Sequence, residues 1–398
     1  MLEKYQKITE MMKEIELDFY WKDFKPVAYC LYNKEFVYLF NHPNHSSANN
    51  EPYVLPWNEQ FIADTCILFE DYPTAIVNVE RYENSESIYS LLIHELFHGY
   101  QYVIEEKRFP NELLGAQYPI QLENIDLRNK ERQLLFKAVL ASEKPSKNKL
   151  LNEFIFIREQ RKDNIGDYAQ YEFLVESIEG PAWYIEAKAF QQASNLPFDK
   201  VVNNYSPTLI DKKESNVHIR RSCYGSGLFL CLLLDEFSTD WQKKFMQSEK
   251  TLYEFFKEFI EIEPLHNMSY QYDYESQEIL QFINEERLKI FEEFEKSDGF
   301  HLFIEGNLKA TSIDPMNIIS HGKQLLHQNF IKIQIGETEY YIHQPAIAQY
   351  TDAIKNINKL HLNLTNKPKV YDEYIEIDGI GKIKGIYREE DHLLFLNV

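Results

Sequence analysis

The sequence predicts an α+β chain in three stretches. A leading helix and a small N-terminal antiparallel sheet occupy residues 1–83, a mainly α-helical region residues 84–297, and a β-rich C-terminal domain residues 298–398. Three observations carry this reading. Short runs of β-branched and aromatic residues, parted by turn residues, follow the first helix. From Ser87 to about Lys296 the apolar residues recur with the helical period, and Pro110, Pro119, Pro145, Pro197 and Pro207 fall between the periodic segments. After Ser297 the pattern turns to alternation punctuated by glycine.

The chain opens with "MLEKYQKITEMMKEIELDFYW", an amphipathic helix charged throughout its length and not the pattern of a signal peptide. "KPVAYCLYNKEFVYLF" (Lys25 to Phe40) reads as a strand pair turning near Asn33, and "TCILFE" and "TAIVNVERY" as two further strands. Helices are expected at Ser87–Glu106, with Asn84 or Ser85 as N-cap, and at Leu122–Ser142 and Lys149–Arg161. Further helices are expected at Tyr168–Ser194, Tyr224–Ser238, Leu252–Ile262 and Ser276–Phe294. In the C-terminal domain, "NFIKIQIGETEYYIHQ" predicts a hairpin turning at Gly336-Glu337, with later turns near Gly379 and Glu389–Asp391.

Composition narrows the function. Hydrophobic residues make up 44% of the chain, with 27 Tyr and 27 Phe, enough for a sizeable core. A net charge of -21 repels phosphate backbones and anionic lipid surfaces, so neither nucleic acid nor a membrane is an expected partner. Cys30, Cys66, Cys223 and Cys231 are too few and too scattered for a disulfide framework. The longest apolar run, "LFLCLLL", is too short to span a bilayer. A cytoplasmic, reducing setting is the expectation.

Chemistry concentrates in "SIYSLLIHELFHGYQYVIEE", which holds His94, Glu95 and His98 as H-E-x-x-H. Residues four apart share a helix face, so both imidazoles can address one Zn²⁺ while Glu95 stands beside them to accept a proton from an activated water. Such a short motif also arises by chance on an ordinary helix. Here the intervening Leu96 and Phe97 and the preceding Leu91, Leu92 and Ile93 describe a buried helix, where unpaired polar groups are costly.

A catalytic zinc held by two histidines takes a carboxylate as its third protein ligand. "YEFLVESIEGPAWYIEAKAF" places Glu172, Glu176 and Glu179 on roughly one helical face. The same spacing also describes a solvent-facing acidic stripe.

"EGPAWYIE" resembles the E-G-x-A-x-Y-x-E stretch of the gluzincin metallopeptidases, especially the aminopeptidase-N type. The resemblance implies a zincin-like catalytic region and makes Glu179 the third zinc ligand. Glu176 is the alternative ligand, or an acceptor for a ligand imidazole. In "SCYGSGLFLCLLLDEF", Tyr224 matches the tyrosine that stabilises the oxyanion in that family, with His218 and Arg220 as nearby alternatives. The chain departs from the family in three ways. His98 and Glu179 are separated by 80 residues, a far longer gap than in the aminopeptidase-N type, and the amine-binding G-x-M-E-N motif is absent. Pro181, two residues past the expected ligand, implies a kink or a helix start. The resemblance covers roughly residues 74–235 and implies a zinc-dependent hydrolase of peptide or protein substrates, with the "TAIVNVERY" strand lining the cleft as an edge. A zinc amide or ester hydrolase of another substrate class, or a non-catalytic binding protein, shares the same residues.

Overall fold

The computed structural model describes residues 2–45, 51–263, 273–351 and 353–398. Its contacts divide the chain into two units: Met1–Pro110 with Glu123–Gln271, and Asn111–Leu122 with Tyr272–Val398.

The first unit begins with α1 (Leu2–Glu14) and a five-stranded sheet. The strands are β1 (Ala28–Tyr32), β2 (Phe36–Phe40), β3 (Tyr53–Pro56), β4 (Thr65–Phe69) and β5 (Tyr72–Asn78), in the order β3-β2-β1-β5-β4. Asn33 begins the β1–β2 turn, accepting from the backbone N–H groups of Glu35 and Phe36 through its side chain. Glu70 and Asp71, both at positive φ (45° and 64°), make the β4–β5 turn, as a two-residue hairpin requires. The expected purely antiparallel sheet is not what forms: β1 and β5 run parallel, Ala28 opposite Thr74 through Tyr32 opposite Asn78. This pairing joins the two hairpins and places β5 inside the sheet, so the edge strand on this side is β4.

Helices follow: α2 (Ser85–Val103), α3 (Glu112–Ala116), α4 (Leu122–Leu140), α5 (Lys144–Ile165) and α6 (Asp167–Ser194). After them come α7 (Phe198–Tyr205), α8 (Pro207–Ile210), α9 (Lys212–Val217), α10 (Ile219–Phe237), α11 (Trp241–Met246), α12 (Leu252–Lys257) and α13 (Tyr274–Glu295). Asn84 is the N-cap of α2, its side chain accepting from Ser87 N–H at 2.7 Å. α2 lies on the sheet where it lacks a side chain: a Cβ on Gly99 would stand 2.3 Å from Val27 Cγ2. α6 passes through Pro181 as one helix, so no helix starts there. α12 ends at Lys257, short of the expected Ile262.

The second unit contains α3, α13 and the remaining strands. Phe291 of α13 joins a small core with Leu326 and Ile347, so the change from helix to strand near residue 297 lies inside this unit. Its main sheet runs β10-β9-β6-β12-β11-β8-β7. In chain order these are β6 (Phe300–Ile313), β7 (Ile318–His321), β8 (Gln324–His327), β9 (Ile331–Ile335), β10 (Thr338–Ile342), β11 (Ala346–Tyr350) and β12 (Asn356–Leu364). β13 (Lys369–Val370), β14 (Tyr374–Ile377) and β15 (Gly381–Lys384) form a separate small sheet. β16 (Ile386–Glu390) pairs with β17 (Leu393–Asn397), which returns parallel to β6. Gly336 at φ 58° turns β9 into β10, and Gly379 at φ 75° lies in the β14–β15 turn.

Candidate metal centre

Three helices of the first unit build the site. α2 is apolar on several sides, with Leu92, Ile93, Leu96 and Phe97 fully buried, and it carries His94, Glu95 and His98 into the interior. α6 and α10 cross beside it. A Cβ on Gly180 would lie 2.6 Å from the Gly227 Cα, and one on Gly227 would lie 2.8 Å from the Glu176 carbonyl oxygen. Beside this close approach, Arg220 of α10 links Glu179, one residue before Gly180, to Tyr224, one turn before Gly227.

His94 Nε2 and His98 Nε2 are 3.0 Å apart. Glu179 Oε2 lies 3.6 Å from the first and 3.2 Å from the second. Ligand atoms about 2 Å from a tetrahedral ion are separated by roughly 3.3 Å, so this triangle has the size of one face of a zinc coordination shell. The partners behind the rings say which nitrogens face inward as acceptors. His94 Nδ1 stands 2.8 Å from Glu186 Oε2, at hydrogen-bond distance though not at ideal angle. His98 Nδ1 stands 2.8 Å from Gln101 Oε1. With both Nδ1 atoms protonated towards these acceptors, two neutral imidazoles and a carboxylate turn lone pairs on one another. Glu179 Oε2 is buried and makes no hydrogen bond of ordinary geometry among the described residues. Such a cluster requires a shared cation, which a metal or added protons can supply.

The electrostatics agree. Burial disfavours a charged His94 or His98, but the carboxylates of Glu179 and Glu186 at the former, and of Glu179 at the latter, outweigh it and raise both imidazoles above their ordinary range. Burial opposes ionisation of Glu179 too, yet the two imidazoles and Arg220 hold its carboxyl well below the usual value. Glu95 is 6% exposed. Burial dominates there, and its carboxyl is raised, the direction that suits a proton acceptor working near neutrality.

Glu176 does not join the cluster. It pairs with Arg158 and accepts from Ser226 Oγ, all within the protein interior. Glu172 is held by Arg161 at 2.6 and 2.8 Å, and Arg161 also binds Glu131 at 2.8 and 2.9 Å. The three glutamates share one stripe of α6, but the stripe is not solvent-facing: Glu172 and Glu176 are 0% exposed and Glu179 is 5% exposed. Position along the helix axis separates them, since Glu179 stands about 4.5 Å beyond Glu176 at 1.5 Å per residue. The long segment between His98 and Glu179 includes α4 and α5, whose Glu131, Arg158 and Arg161 clamp the lower part of that stripe.

The Tyr224 ring lies nearly parallel to that of His94, with centroids 6.5 Å apart, and packs edge-on against Trp183. Arg220 donates to the Tyr224 phenolic oxygen and, at 2.9 Å, to Glu179 Oε1. His218 faces Glu214 with its side chain 55% exposed. Sequence reasoning passed over Gln101 and Glu186, and also Tyr205, whose hydroxyl donates to Glu186 at 2.9 Å. The signal for Gln101 was its place three residues after His98 on the same helix face.

A second group, His42, His45 and Glu70, has atoms close enough for a metal. Both ring nitrogens of His42 are already engaged, Nε2 with the Phe69 carbonyl at 3.0 Å and Nδ1 with the Asn44 N–H at 3.3 Å. Among the described residues all four cysteines are free thiols, and no helix is long and apolar enough to cross a membrane. Compared with known proteins, the chain matches no family model, no curated protein and no solved structure.

Proposed function

We propose that this chain is a zinc-dependent hydrolase of the gluzincin type that cleaves peptide bonds, with its first unit serving as a zincin-like catalytic region. The observation that carries the reading is the triangle of His94 Nε2, His98 Nε2 and Glu179 Oε2, with sides of 3.0, 3.2 and 3.6 Å. A set of two histidines and one glutamate is the donor set of a catalytic zinc, and it leaves a position open.

Bound zinc supplies a Lewis acid that polarises a carbonyl and lowers the pKa of water towards about 7. Glu95 takes the proton from the attacking water and passes it to the departing amine. Arg220 has no acceptor atom, so the Tyr224 oxygen must accept from it, and the phenolic proton stays available for the developing oxyanion. Trp183 packs against Tyr224 and limits its movement. The edge strand for an extended substrate is β4, in place of the β5 segment expected from sequence, because β5 is paired on both sides. β4 is close to the motif helix: a Cβ on Gly99 would lie 3.4 Å from Cys66 Sγ. A cytoplasmic, reducing setting belongs to the same proposal.

A mixed peptide library incubated with the zinc-loaded protein and read by mass spectrometry tests this reading. New cleavage products in the wild-type digest, absent from the Glu95→Gln digest, are expected. Identical digests from the two proteins would reject peptide hydrolysis at this site.

A further inference from the structure

Gln101 is 2% exposed, on the last turns of α2, one helical step beyond His98. Its amide is held at both ends. One end lies 2.9 Å from the backbone carbonyl oxygen of Ile178 on α6, and the other lies 2.8 Å from His98 Nδ1. A carbonyl oxygen can only accept, so the amide atom facing Ile178 is the NH₂ group. The atom facing His98 is therefore the amide oxygen, which can only accept in its turn. His98 Nδ1 must then carry a proton, and in the neutral ring the lone pair belongs to Nε2, on the side of His94 and Glu179. Ile178 immediately precedes Glu179, so the same amide also ties the ring of one ligand to the backbone beside another.

We propose that Gln101 is the positioning residue of the metal centre: anchored by the Ile178 carbonyl, it selects the Nδ1–H form of His98 and aims Nε2 at the ion. This inference rests on the zinc-site reading above. The polarity runs in one direction because the Ile178 carbonyl can only accept: it turns the amide NH₂ to itself and the amide oxygen to His98, whose ring takes the tautomer that donates. An acceptor behind a ligand imidazole also raises its basicity, and losing such a partner typically lowers metal affinity 10- to 100-fold.

Two substitutions separate positioning from packing. Gln101→Met keeps the volume and removes both bonds; Gln101→Glu keeps the acceptor for His98 and removes the donor to Ile178. Zinc affinity is measured by competition with a chromophoric chelator, and the stability of each metal-free protein by urea unfolding. Both variants are expected to lose stability, but only Gln101→Met should lose zinc affinity, by about 10- to 100-fold. Gln101→Glu should bind zinc as tightly as wild type or tighter. The inference is overturned if Gln101→Met binds zinc like wild type, or if Gln101→Glu weakens binding tenfold or more. If Gln101→Met does not fold, the comparison of Gln101→Glu with wild type decides alone. A wild-type protein that binds no zinc overturns the zinc-site reading and this inference together. A wild-type protein that binds zinc beside an unaffected Gln101→Met overturns this inference alone.

Discussion

Gly180 on α6 and Gly227 on α10 touch backbone to backbone, and a side chain on either would stand within 2.6 Å of the other's Cα. Near the crossing, Arg220 donates to both Glu179 and Tyr224. Gly180→Ala and Gly227→Ala force the helices apart, and overpacking of this kind costs about 1–3 kcal/mol. A lower urea midpoint with an unchanged slope is expected for each variant. A midpoint equal to wild type would mean the crossing is looser than described.

Glu176 and Glu179 are one turn apart and do different work. Glu179→Gln is expected to abolish tight zinc binding while the chain stays folded. Glu176→Gln removes one of the two carboxylates paired with buried Arg158 and leaves Glu131 at 3.4 Å, so the loss should stay below the about 3–5 kcal/mol of a fully broken buried pair. Its folded fraction should still bind zinc at the wild-type ratio. Zinc titration and urea unfolding on both variants check this, and the reverse pattern would exchange their roles.

Tyr224→Phe removes the phenolic proton and leaves the ring against His94 and Trp183. Turnover is expected to fall about 100- to 1,000-fold, the usual loss for one oxyanion donor, with zinc content unchanged. Glu95→Gln should lower turnover about 100- to 10,000-fold, again without loss of zinc. Steady-state rates on a cleaved peptide measure both. A Tyr224→Phe rate within threefold of wild type would shift the oxyanion role to Arg220.

The second unit should lose stability in mild acid. Burial lowers the His327 imidazole from 6.5 to about 4, and burial with the neighbouring His301 lowers His361 to about 3. Both rings stay neutral in the folded protein while the unfolded chain takes up protons below pH 6.5. Their contribution is complete above pH 6.5 and is lost as the pH falls to about 4 for His327 and about 3 for His361, at about 1.4 kcal/mol per pH unit for each ring. Thermal melting from pH 7 to pH 4 should show a falling midpoint for this unit, with a shallower fall in His327→Leu. A slope unchanged by that substitution would contradict the account.

Much of the helical region was legible because period and punctuation agreed. The motif helix was expected from Ser87 with Asn84 or Ser85 as N-cap, and α2 begins at Ser85 under Asn84. The β9–β10 hairpin was equally plain from Gly336, which takes the positive φ the turn requires. The parallel pairing of β1 with β5 was not legible, since alternation marks a strand's faces and not its neighbours. Nor was the identity of the edge strand. Glu172, Glu176 and Glu179 share a stripe, and only the places of Arg158, Arg161 and His98 distinguish them. The arginines themselves gave no sign of burial, because charges at helical spacing normally face water. Gln101 and Glu186 were hidden for a related reason: a single polar residue in a helix declares its role only through the partner it meets.

The central claim is that His94, His98 and Glu179 hold one zinc ion. Native mass spectrometry of the purified chain, before and after chelation and after addition of zinc, tests it most directly. The expected result is one zinc per chain, removed by the chelator, restored by added zinc, and not restored in Glu179→Gln. A wild-type chain that stays metal-free under stoichiometric zinc, or a Glu179→Gln variant that binds it equally well, would contradict the account.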